Sequence, residues 1–144
     1  MENWQELTAL CETCGCSVRY AEPLRNHTTF RIGGNCGAFV SINSIETLRR
    51  VLALCREKQY PYLVLGNGSN VLAADSGYAG VILHLGHDFS GIQQKGSELF
   101  CESGATLARI GKYAGRIPDW HGVPGRNSRH SRRRAVYECR GIRR

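Results

Sequence analysis

Several features of common protein classes are missing from this chain of 144 residues. No apolar run approaches the roughly 20 residues that a membrane-spanning helix requires, which argues against a transmembrane protein. The first ten residues, MENWQELTAL, carry acids where a secretory signal carries lysine or arginine. We therefore expect a soluble, cytoplasmic protein with no membrane partner.

A disulfide framework is also missing, because the seven cysteines are odd in number and spread along the whole chain. Three of them, Cys11, Cys14 and Cys16, form a cluster, but no second C-x-x-C pair follows. A structural zinc ion would need a fourth ligand, for which His27 is the nearest candidate. The alternative is a set of reduced thiols at the end of a short helix, and we expect no metal.

Acidic residues are scarce in the last part of the chain, where the net charge of +7 is concentrated. Residues 1–109 hold 9 basic and 10 acidic side chains, whereas residues 110–144 hold 10 basic and 2 acidic ones. One interpretation is that the Arg-rich tail binds the phosphates of a nucleic acid. The tail has no alternating aromatic residues and no recognised reader fold, so we favour a solvated tail and no nucleic-acid partner.

The order of the apolar patterns predicts an α+β fold. Ser44 is the expected N-cap of a helix that follows a strand, and Pro61 restarts the chain as another strand. The connection between these two strands has the length of a parallel βαβ unit. The predicted elements, in order, are a helix at 3–14, a strand at 38–42, a helix after Ser44, a strand at 62–65, strands at 81–85 and 99–101, and a helix at 105–114.

The stretch PYLVLGNGSNVLAAD, residues 61–75, interrupts two apolar runs with five small polar residues, Gly66, Asn67, Gly68, Ser69 and Asn70. Successive N–H groups in a tight turn after a parallel strand form a concave site for anions. The usual templates fail, because the dinucleotide fingerprint needs glycine at position 71 and the P-loop needs a lysine. A phosphate site and an ordinary turn between strands both remain open on these residues alone.

Five segments together resemble the N-terminal half of the UDP-N-acetylenolpyruvoylglucosamine reductase family, bacterial flavoenzymes of peptidoglycan precursor synthesis. They are HTTFRIGG at 27–34, LGNGSNVL at 65–72, Asp75, GVIL at 80–83 and SGATLARI at 103–110. Their order and spacing are far more specific than any one of them alone, and the resemblance covers roughly residues 20–110.

The resemblance implies an FAD-binding domain of the vanillyl-alcohol-oxidase (PCMH) type, with a βαβ-containing first subdomain and an incomplete second one. It implies that Gly66, Asn67, Gly68, Ser69 and Asn70 bind the FAD pyrophosphate. The family's reaction uses FAD and NADPH to reduce UDP-N-acetylglucosamine enolpyruvate, a UDP-sugar, to UDP-N-acetylmuramate. No protein partner is inferred.

The domain organisation expected from the resemblance has four parts. They are an N-terminal helix at 1–17, the first FAD-binding subdomain at 18–86, the start of the second at 87–128, and a basic tail at 129–144.

The resemblance breaks after about residue 110. The family continues with G-x-P-G-T-V-G-G-A and then Y-M-N-A-G-A-Y-G-G, but of this only GVPG at 122–125 survives. Permitted codons for residues 129–144, read one base later, encode G-T-V-G-G-A-P-Y-M-N-A-G-A-Y-G. We therefore hypothesise a frameshift between about residues 110 and 129, which the nucleotide sequence of the gene would test.

No catalytic residue is assigned. The resemblance implies a catalytic arginine, glutamate and serine or cysteine beyond this point, and Ser69, Ser103 and Cys101 do not match the proton-donor motif. His27 and His84 are interpreted as hydrogen-bonded structural residues, not as ligand contacts. A catalytically inactive fragment with weak or no FAD binding is the main alternative.

Overall fold

The computed structural model describes residues 4–96 and 98–116, and these fall into two compact units that divide between Asp88 and Phe89. The first unit contains two helices, a four-stranded sheet and a 3-10 turn at Leu24–Asn26, and a second 3-10 turn at His87–Phe89 lies at the division. Its elements are α1 (Gln5–Cys14), β1 (Ser17–Tyr20), β2 (Cys36–Ile42), α2 (Ile45–Glu57), β3 (Tyr62–Leu65) and β4 (Tyr78–Leu85).

The sheet of the first unit has the strand order β1-β2-β4-β3. β2 and β3 both run parallel to β4, and β1 pairs antiparallel with β2. The predicted parallel βαβ unit is therefore present, but β4 lies between its two strands instead of leaving them adjacent. Since β2, β3 and β4 are parallel, their carboxyl ends lie at one edge of the sheet.

The two central strands hold the core of this unit. Phe39 and Val40 of β2 and Val81 and Leu83 of β4 have no exposed surface. Side chains buried this completely each stabilise the fold by about 1.5–3 kcal/mol. The central position of β4 explains its nearly continuous apolar sequence, because both of its faces and both of its edges are covered.

Helix α2 begins where the sequence predicts it. The Ser44 hydroxyl accepts a hydrogen bond from the backbone N–H of Thr47 at 3.1 Å. The apolar side of the helix is buried, as the 3.6-residue periodicity requires. Its buried side chains are Thr47, Leu48, Val51, Leu52 and Cys55.

The second unit, as far as it is described, contains an antiparallel hairpin and one helix: β5 (Ile92–Lys95), β6 (Glu98–Cys101) and α3 (Leu107–Ala114). Leu99, Ile110 and Ala114 form its small buried cluster. The Thr106 hydroxyl caps α3 by accepting a hydrogen bond from the backbone N–H of Arg109 at 3.3 Å.

The predicted α+β class is confirmed, together with the three predicted helices and the four predicted strands. β1 and β5 were not predicted, because each is a short strand in which most side chains are exposed and no apolar run marks it. Residues 117–144 lie outside the described part of the chain, and they include the GVPG segment at 122–125, most of the hypothesised frameshift region and the basic tail. Within the described residues, no helix is both long and apolar enough to cross a membrane.

Candidate functional site

The five predicted site residues, 66–70, form a loop that we call the glycine loop. It leaves the carboxyl end of β3 directly after Leu65, which pairs with His84 of β4. The loop folds over the chain that follows Leu24–Asn26, where the backbone N–H of Thr29 donates to the carbonyl of Gly68 at 3.0 Å. Two segments that are about 40 residues apart in the sequence thus meet at the edge of the sheet.

The two glycines of the loop have different roles. Gly68 has a φ of +62°, and a Cβ atom there would overlap with the carbonyl oxygen of His27. Only glycine satisfies both conditions, so Gly68 is required for the packing of the loop. A Cβ atom at Gly66 would meet no atom within 4 Å, so the internal packing of the protein does not require glycine at that position.

The loop presents backbone donors that the fold leaves unused. Among residues 4–96 and 98–116, the N–H groups of Asn67, Gly68, Ser69 and Asn70 donate to no main-chain oxygen. Asn67, Ser69 and Asn70 are also exposed. A run of free N–H groups on a turn is the arrangement that binds phosphate or another anion.

An open pocket of about 420 Å³ adjoins the loop. Its lining combines the start of the glycine loop, the end of strand β4 and the segment 26–31, which we call the opposing segment. The lining residues are Asn26, His27, Thr28, Thr29, Arg31, Gly66, Asn67 and His84. Every lining residue except Gly66 has a polar side chain, so the pocket is suited to a charged or strongly polar ligand.

The structure therefore distributes the five predicted residues around the pocket. Gly66 and Asn67 line it, and Gly68 is buried against the opposing segment. Ser69 and Asn70 are exposed and are not among the residues that line the pocket.

His27 is held by two neighbours. Its Nε2 atom lies 2.8 Å from a carboxylate oxygen of Glu22, and its ring stacks on Phe39 with centroids 4.0 Å apart. Arg19 reaches the same carboxylate at 3.1 Å. Although these contacts agree with the expected structural role, His27 also lines the pocket, and so does His84.

The imidazole of His84 is half-buried, and its pKa lies below the ordinary value of 6.5. Burial is the main cause, because it disfavours the charged form, and the positive charges of His27 and Arg19 act in the same direction. The neutral form of His84 is thus favoured in the fold.

Arg31 is one of four pocket residues, with Asn26, Thr28 and Thr29, that the sequence analysis did not single out. It is exposed, lines the pocket and makes no ion pair with an acid among the described residues. The signal was present in the sequence, because Arg31 belongs to the HTTFRIGG segment. Nothing local in the sequence places residue 31 beside residue 66, because that proximity depends on the tertiary fold.

The cysteine cluster does not form a metal site in the part of the chain that is described. No group of three His, Cys, Asp or Glu side chains there has an arrangement that could hold a metal ion. His27, the candidate fourth ligand, is engaged by Glu22. Burial, followed by a hydrogen bond with Cys16, raises the pKa of Cys11, and burial raises that of Cys55 to about 11.

The polar pocket lies at the carboxyl ends of parallel strands, which is where nucleotide- and cofactor-binding proteins with parallel sheets bind their ligands. The sequence profile of the FAD binding domain family matches residues 37–123. The chain belongs to this FAD-binding family, whose named cofactor is FAD.

Comparison with known proteins shows which enzymes the chain is similar to. The chain is 37% identical over 95 residues to the UDP-N-acetylenolpyruvoylglucosamine reductase of Clostridioides difficile, which covers 66% of this chain and 31% of that protein. It is 38% identical over 98 residues to the reductase of the same name from Listeria welshimeri, covering 68% and 33%. The resemblance inferred from the sequence is therefore confirmed.

A solved structure agrees with this result. The crystal structure of UDP-N-acetylenolpyruvylglucosamine reductase from Thermus caldophilus aligns with a TM-score of 0.50 and 26% identity, covering 70% of this chain and 33% of that one. The chain spans about a third of the length of the relatives that it matches.

Proposed function

We propose that the glycine loop binds the diphosphate of FAD through its main-chain N–H groups. The observation that carries the proposal is that the N–H of Asn67, which lines the polar pocket, and the N–H groups of the following loop residues, 68–70, donate to no main-chain oxygen among the described residues. FAD in such a site would supply the redox chemistry, while the protein binds and orients it.

The residues present fit the diphosphate part of this cofactor. The pocket volume lies within the roughly 300–1,000 Å³ typical of small-molecule sites. No acidic side chain is among its lining residues, which removes the main source of repulsion for an anion. The open space at Gly66 allows a ligand oxygen to approach the backbone without meeting a Cβ atom.

We further propose that the chain is the N-terminal, FAD-binding part of a reductase of UDP-N-acetylglucosamine enolpyruvate that uses NADPH. The names of the relatives and the match to the FAD-binding family support this assignment. Residues 18–86 would form the first FAD-binding subdomain and residues 87–128 the start of the second. No residue of this chain is assigned to the chemical step, so the reaction is proposed for the longer protein type.

The test is expression of the 144-residue chain with FAD, followed by a visible absorption spectrum and a titration of flavin binding. Gly66→Ala should weaken FAD binding by about tenfold, the effect of losing roughly one hydrogen bond to a charged group, because its Cβ atom would occupy the ligand's approach. The stability of the apoprotein should hardly change, since the new Cβ atom meets nothing within 4 Å.

Gly111→Ala is the matched control. Gly111 lies in α3, where an added Cβ atom also meets nothing, so the substitution should raise stability slightly and leave FAD affinity unchanged. A wild-type chain without a flavin band would reject FAD binding by this chain and favour the inactive-fragment alternative. Equal FAD affinity in G66A and wild type would reject the role of the loop.

A further inference from the structure

The backbone of Arg31 adopts an unusual conformation. Its φ is +55°, and it is one of three non-glycine residues with positive φ among those described. An L-residue in this region is strained, and such residues persist where the surrounding structure imposes the conformation. Contacts of the surrounding structure must therefore stabilise this backbone conformation at Arg31.

Local hydrogen bonds hold the strained turn in place. The backbone N–H of Arg31 donates to the carbonyl of Thr28 at 3.1 Å, and the Thr28 hydroxyl donates to the carbonyl of Ile32 at 3.2 Å. Thr28 is itself buried, and Thr29 is bonded to the glycine loop. The turn thus fixes the position of residue 31 relative to Gly68.

Among the residues that the structure describes, no acid forms an ion pair with the one permanently charged side chain of the pocket. Among the eight lining residues Arg31 alone carries a permanent charge. The carboxylate of Glu22, which contacts the pocket residue His27, is also bound by Arg19. An exposed guanidinium beside free backbone N–H groups is complementary to an anion with several oxygens, because it offers up to five donors.

We propose that Arg31 is the charged binding residue of the diphosphate pocket, opposite the glycine loop. This inference rests on the proposed function, since it adds a residue of the opposing segment to the same FAD site. The strained turn from Thr28 to Ile32 acts as the positioning element, because it directs residue 31 to the pocket at a conformational cost. The glycine loop supplies neutral donors, and Arg31 supplies the positive charge that balances the ligand.

The test compares Arg31→Asn with Arg25→Asn in the full chain. Asparagine tolerates positive φ, so R31N removes the charge while it keeps the turn. R25N removes the same charge from an exposed residue of the neighbouring 3-10 turn that does not line the pocket. FAD affinity is measured by titration at low and high salt, and folding by urea denaturation.

We expect R31N to bind FAD at least about tenfold more weakly, as for the loss of one charge-assisted hydrogen bond, and with a smaller salt dependence than the wild type. Its urea midpoint should stay at or near the wild-type value. R25N should bind as the wild type does, and Arg31→Lys should retain part of the affinity.

Two results would overturn the inference while the proposed function stands. One is wild-type affinity in R31N, and the other is an equal loss in R31N and R25N, which would show a general charge effect. A wild-type chain that does not bind FAD would instead reject the proposed function, and this inference with it.

Discussion

At the scale of single residues, the two glycines of the loop show how one residue type serves two purposes. The internal structure of the protein requires glycine at position 68, because the left-handed backbone and the contact with the carbonyl of His27 exclude any side chain. Gly66 has no such explanation within the fold, since its surroundings would accommodate a Cβ atom. We attribute the glycine at position 66 to the space that the ligand needs near the backbone. The G66A experiment tests this interpretation.

His84 leads to a prediction about pH. Its pKa is lowered in the fold, so between the folded and the ordinary value of 6.5 the unfolded chain binds more protons than the folded one. The stability that depends on neutral His84 is fully present above 6.5 and is lost as the pH falls through the folded pKa. Urea midpoints of the wild type should therefore decrease as the pH is lowered below about 6.5.

His84→Gln should flatten this part of the pH profile, because glutamine does not titrate. His87→Gln, which changes an exposed histidine three residues away, is the control and should keep the wild-type profile. If H84Q and the wild type lose stability in parallel below pH 6.5, protonation of His84 is not the cause of the loss.

At the scale of elements, the N-terminus of α2 depends on one hydroxyl. Ser44→Ala removes the acceptor for the backbone N–H of Thr47 and should lower the free energy of unfolding by about 1 kcal/mol. Ser44→Asp keeps an acceptor and places a negative charge at the helix N-terminus, so it should restore or exceed wild-type stability. Both values come from urea unfolding monitored by circular dichroism, and equal stabilities of S44A and S44D would contradict the capping role.

At the scale of the whole molecule, the two units should differ in local stability. The first unit has a four-stranded sheet with fully buried central strands, whereas the described part of the second has a two-stranded hairpin and one short helix. An isolated two-stranded hairpin is marginal in water, and local opening requires less free energy where fewer apolar side chains are buried.

Hydrogen exchange followed by mass spectrometry measures this difference. We expect the slowest exchange in β2 and β4 and exchange faster by at least about an order of magnitude in β5 and β6. The edge strand β3 should fall between them, because in the described part of the chain it pairs with β4 alone. Equal protection in β4 and β6 would show that the hairpin belongs to the same cooperative core.

Much of the local structure could be read from the sequence. Helical spacing predicts α1, α2 and α3, the serine before α2 marks its start, and the five small polar residues at 66–70 mark the glycine loop. These features are local, since a helix period, a cap or a turn depends on residues within a few positions of one another. The family could also be recognised, because its segments keep their order along the chain.

Other features were decided by the tertiary structure alone. The insertion of β4 between β2 and β3, the contact of Thr29 with Gly68 and the place of Arg31 in the pocket all join residues that are distant in the sequence. No local pattern encodes such pairings, because they arise when the sheet buries its apolar strands and brings their carboxyl ends to one edge. The sequence by itself therefore determined the three helices, four of the strands and the loop, whereas the packing of the sheet decided which side chains share the site.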